Sequence, residues 1–139
     1  MTDKKRVDNW VSKLCDAVDA ARGKEFQYGE HDCALFVADL IQVMTGEDLA
    51  AEFRGQYSDR KSALKALKKI GAGDLRETIT AKLGDPIPLS LAMRGDVVLA
   101  KADGGEEVVA MIIDYQAVAA ATGGYQRLSQ KDWVTAWKV

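Results

Sequence analysis

The sequence predicts an α+β domain, with helices first and strands after, on three observations. Apolar residues recur at helical spacing up to about residue 90, a nearly all-apolar helix lies inside that half, and from Arg94 onward the period is that of strands set off by glycine turns. The expected architecture is one domain over residues 1–139, with a helical part (1–90) and a β part (94–139). Helices surround a buried central helix, which packs on a small C-terminal antiparallel sheet or half-barrel.

Taken in order, Val7, Trp10, Val11, Leu14, Val18 and Ala21 make one stripe of an amphipathic helix spanning roughly Asp3 to Arg22, closed by Gly23. Cys15 lies beside that stripe and reads as a small packing residue. A central helix follows Cys33. Glu47 to Tyr57 reads as a short helix ending at Arg54 and Gly55. Ser58 or Asp59 then caps a helix with Ala63, Leu64, Leu67 and Ile70 facing inward and Lys61, Lys65, Lys68 and Lys69 facing water. Asp74 to Leu83 is a further helical piece, before Gly84, Pro86 and Pro88 break the pattern. Strands are expected at 96–100, 108–113, 116–122, 125–128 and 134–139, with Asp103, Gly104 and Gly105 turning the first hairpin. The last strand is placed to close onto the first.

Composition narrows the function. Hydrophobic residues make up 47% and charged residues 29%, enough for one sizeable core. The 19 Lys and Arg nearly balance the 21 Asp and Glu, so no polycationic surface is available and nucleic acid is not an expected partner. No apolar run approaches the ~18 residues a membrane span requires, and the N-terminal lysines lack the apolar run of a signal peptide. Two separated cysteines and one histidine do not make an ordinary zinc site, so no metal or other cofactor is expected.

The chemistry-bearing stretch is Phe26 to Gly46, FQYGEHDCALFVADLIQVMTG. A glycine-containing loop (Tyr28, Gly29) leads to His31, the only histidine, then Asp32 as N-cap and Cys33 at the helix start. Only Asp39, Gln42 and Thr45 are polar within the helix, so it belongs inside a core, and Gly46 supplies its end. A thiol in the first helical turn meets unpaired N–H groups and the positive dipole end, which favour thiolate.

These motifs in this order, an aromatic-glycine pair, Asp-Cys opening an apolar helix and a later Gly-Asp-Val-Val, resemble the NlpC-type superfamily of papain-like cysteine peptidases, which cut bacterial cell-wall peptides. YGEHDCALFVADLIQVMTG, EFRG, RGDVVLA and the closing AWKV are more closely similar to a phage and prophage family related to that superfamily and found among tail genes. The resemblance implies a papain-like fold, Cys33 as nucleophile, and Tyr28 and Gly29 beside the substrate. It also implies a peptidoglycan stem peptide or neighbouring tail proteins as partners, with the protein in the host cytoplasm during assembly and in the virion tail.

The sequence departs from the superfamily at the base. NlpC-type enzymes carry a histidine near the start of the second barrel strand and an orienting polar residue on the next, where this chain has Val108 to Ile112 and Ala117 to Ala121. His31 is the available replacement, reaching the sulfur if the loop is extended and both side chains enter one cleft. Two readings follow. In one, Cys33 attacks an amide carbonyl while His31 acts as base and acid, with helix-start N–H groups as oxyanion donors. In the other, His31 orders the loop by bonding backbone, Asp32 is a plain cap, and the scaffold serves a tail protein without chemistry.

Overall fold

In the computed structural model, which describes residues 6–139, four helices precede five strands: α1 (Trp10–Ala20), α2 (Cys33–Thr45), α3 (Arg60–Lys69), α4 (Leu75–Leu83), β1 (Val97–Lys101), β2 (Glu107–Ile112), β3 (Gln116–Ala121), β4 (Gly124–Ser129) and β5 (Trp133–Trp137). The first three residues of the expected opening helix, Asp3 to Lys5, lie outside the described residues. The strands form one antiparallel sheet in the order β4-β3-β2-β1-β5, so the last strand does return to the first.

The sheet is buried on both faces. Val97, Leu99, Val109, Met111, Val118 and Trp137 join Leu14 and Val18 of α1 and Phe36, Val37, Leu40 and Met44 of α2 in the main core. The other face is lined by small residues, among them Ala100, Ala110, Ala117, Ala119 and Ala136, together with Val98, Ile112 and Leu128. The partly buried residues packed against this face are Cys33, Ile87, Ala92, Ala102 and Trp133. Buried apolar area is the main stabilising term, and α2 contributes most of its length to it: seven of its 13 residues are buried.

Local chemistry fixes the ends of α2. The Asp32 carboxylate accepts the Leu35 N–H at 2.9 Å, and Gly46 leaves the helix at φ 83° with its N–H on the Gln42 carbonyl. α3 begins in a capping box, Asp59 with Ser62, and α4 begins at Asp74, which accepts from Glu77 N.

Three expectations fail. Glu47 to Tyr57 is a chain of turns rather than a helix, because Asp48 turns its carboxylate onto Ala50 N and onto Arg54. That same Arg54 reaches Asp39 of α2 at 2.7 Å, pinning the segment from outside. On α3 the buried residue is Ala66, packed with Leu35, Ala38, Ala50 and Phe53, while Leu64 and Ile70 are exposed. Helical spacing gives a stripe, but the neighbour decides which edge of it is covered. Cys15 is also exposed, one position off the buried Leu14.

Candidate functional site

Asp32 organises the mouth of α2. Besides capping Leu35 through Oδ1, it accepts the Gly29 N–H at 2.9 Å and the Tyr57 hydroxyl at 2.7 Å on Oδ2. Three donors satisfy one buried carboxylate, which holds the entering loop, the helix and the 57 region together. Gly29 is required twice over. Its φ is +87°, and a Cβ there would stand 2.2 Å from the Tyr57 carbonyl oxygen.

His31 and Cys33 serve different neighbourhoods. The imidazole is 1% exposed, with Nε2 2.8 Å from the Gly124 carbonyl oxygen at the start of β4 and its ring edge-on to Phe36. A carbonyl only accepts, so Nε2 carries the proton, and Nδ1 is a buried nitrogen without a hydrogen-bond partner. Neither ring nitrogen is hydrogen-bonded to the sulfur. His31 N donates to the Gln27 carbonyl, and Gln27 N donates back to the His31 carbonyl. That bridge fixes the extended loop, after which Cys33 turns into the helix and the two side chains separate.

Cys33 is half-buried, touches both sides of the core and opens on a cleft of about 780 Å³. Its thiol is pushed up to about 11, chiefly by burial, with the negative charges of Asp32 and Glu106 adding to the effect. Backbone hydrogen bonds from Val109 and Ala34 pull the other way and are outweighed. The helix start, expected to favour thiolate, therefore loses to desolvation and to its own cap.

The Val109 contact places the sulfur against the second strand, the position where the resemblance expects a histidine. Two side chains absent from the sequence reading also line this end of the cleft: Arg60, at the start of α3, and Glu106, on the β1–β2 hairpin, ion-paired at 3.3 Å. Tyr57 lines it as well, as does Tyr28, and burial raises both hydroxyls, that of Tyr57 further because it donates to Asp32. The segment 54–57 follows α2 in the chain. Of the two ends of that segment, Tyr57 enters the cleft, while Arg54 is held by Asp39 and Asp48. No group of three or more His, Cys, Asp or Glu that could hold a metal ion occurs among the described residues.

Comparison with family models gives a match over residues 5–139 to a domain of unknown function, DUF6950. The chain belongs to this family. No curated protein matches it in sequence. Solved structures similar to it include the NlpC/p60 domain of the peptidoglycan hydrolase SagA, with a TM-score of 0.58 and 17% identity over 93% of this chain and 98% of that one. Another is an NLP/P60-family protein, similar to lipoprotein, from Staphylococcus aureus subsp. aureus Mu50. It has a TM-score of 0.57 and 16% identity, over 100% of this chain and 44% of that one. At these identities the likeness is one of fold: the DUF6950 chain has an NlpC-type scaffold. No helix among the described residues is long and apolar enough to cross a membrane.

Proposed function

We propose that this protein is a phage tail-associated protein that uses an NlpC-type scaffold for binding, without cleaving peptides. The observation that carries the reading is the pairing at the mouth of α2. The thiol lies against the Val109 backbone, and the only imidazole has its protonated nitrogen on the Gly124 carbonyl. Amide cleavage through a thiol needs a thiolate and an acid for the leaving amine. A thiol displaced toward 11, with no imidazole hydrogen-bonded to it, supplies neither at neutral pH.

The tail role rests on the resemblance in the motifs around Cys33, EFRG, RGDVVLA and AWKV. In this reading the protein is made in the host cytoplasm and joins neighbouring tail proteins. One observation favours a hydrolase acting on stem peptides: Cys33 opens on a cleft shared with Tyr28 and Tyr57, the place where a nucleophile would meet a substrate. Incubation with purified peptidoglycan, followed by assay of newly released amino groups, separates the two. The binding reading predicts no release by wild type or Cys33→Ala, and phage carrying Cys33→Ala with unchanged titre. Release that disappears in Cys33→Ala would establish the hydrolase.

A further inference from the structure

A second hollow, of about 460 Å³, shares no residue with the cleft at Cys33. It lies between α1, the 93–94 segment and the turn that joins β2 to β3. Its half-buried wall is Trp10 and Val11 with Arg6, whose guanidinium lies 4.3 Å over the Trp10 ring and reaches the buried Asp96 at 3.1 Å. The charge of Arg6 is thus answered inside the chain. The exposed rim is Met93, Arg94, Asp114 and Tyr115.

The rim carries protruding apolar groups. Tyr115 is 84% exposed, Met93 61%, and Leu91, two residues before it, 64%. The turn beneath Tyr115 is nevertheless held, because Asp114 accepts the Gln116 N–H at 2.8 Å and the Tyr115 carbonyl accepts from Gln130 at 3.3 Å. A fixed backbone therefore presents a bare ring beside a recess, and a cavity of about 150 Å³ already holds benzene. Tyr, Met and Arg are residue types enriched where proteins meet, and adjoining exposed apolar groups mark a contact surface.

The patch is complementary to itself. Arg94 donates Nε to the Ile113 carbonyl and has no carboxylate within ion-pair distance among the described residues. Asp114 has only an exposed pair with Arg127, at 3.3 Å, which contributes little and exchanges readily. A ring and a recess, an unspent cation and a loosely held acid, all lie on one face. A two-fold axis lays such a face on its own copy and matches both sets at once.

We propose that the protein forms a two-fold dimer through this surface, each Tyr115 seated in the hollow of the other copy and each Arg94 paired with the other copy's Asp114. The inference goes beyond the reading above and is independent of the chemistry of Cys33. A dimer interface of ordinary size takes about 800 Å² from each copy, and the hollow with its rim supplies the centre of one.

Sedimentation of the full chain from about 1 µM to about 1 mM, a range that spans weak to moderate association, tests it. The mass rises from 15.1 kDa toward twice that value. Tyr115→Ser, at an exposed position, abolishes the rise. Arg94→Glu sets two acids against each other across the axis and Asp114→Lys sets two cations, so each variant alone dimerises at least about tenfold more weakly. Mixed in equal amounts, the two form a heterodimer in which both contacts are again of opposite charge, and association returns to the wild-type level. A folding defect does not produce that recovery. Should Asp114→Lys not fold, Tyr115→Ser and Arg94→Glu still decide. A chain monomeric at every concentration, which would assign the surface to a different protein, overturns the proposal. So does a dimer indifferent to Tyr115→Ser, or a mixture of folded variants that associates no more tightly than its components.

Discussion

His31 and Cys33 flank the same aspartate and have opposite environments. The imidazole faces β4, sealed against Phe36 and bonded to Gly124, whereas the thiol faces β2 and a cleft. Closeness in sequence does not make a catalytic pair. Between them Asp32 is extended, at φ -121° and ψ 178°, and the helix begins one residue later. That change of conformation sends the two side chains to different elements of the sheet.

Substitutions at the shared hub have the largest expected effect, because they disturb both environments. Gly29→Ala forces a methyl group into the Tyr57 carbonyl and strains a positive φ, and Asp32→Ala removes a cap and leaves the Gly29 N–H and Tyr57 hydroxyl without their acceptor. Each is expected to cost about 3 kcal/mol or more in urea unfolding. A loss under about 1 kcal/mol for Asp32→Ala would mean that the carboxylate does not join the three segments.

One step down, His31→Ala tests the imidazole side alone. Loss of the Gly124 bond and of the packing on Phe36 is expected to cost about 2 kcal/mol.

The thiol side is tested by pH. A folded-state value near 11 lies above that of an unfolded cysteine, about 8.5, so the folded state holds this proton more tightly. The associated stability is fully present below about pH 8.5 and is lost as pH rises toward 11. Wild type is therefore expected to lose stability relative to Cys33→Ala across that window, and equal slopes for the two proteins would remove the buried-thiol account. Smallest of all, Arg60→Ala breaks an exposed ion pair with Glu106 and is expected to change stability by less than about 0.5 kcal/mol.

Local features were legible in the sequence. Asp32 and Asp59 cap helices as their type and position predict, Gly46 ends α2, and the glycine turns separate the strands. Features set by distant partners were not legible. The reason for Gly29 is a carbonyl 28 positions further on, at Tyr57. The covered edge of α3 was decided by Phe53 and Ala38, and the turns after α2 by Arg54 bonding Asp48 and Asp39. Most consequentially, dipole and position predict an activated thiol, while burial, and after it the charge of the capping carboxylate, reverse the sign.

The most direct test is the alkylation rate of Cys33 against pH, measured in a Cys15→Ala background because Cys15 is exposed and would react first. The account predicts a rate that climbs with an inflection near 11 and the same profile after His31→Ala where that variant remains folded. An inflection well below the ordinary thiol value of about 8.5, lost on removing the imidazole, would contradict it and restore the pair as a catalytic unit.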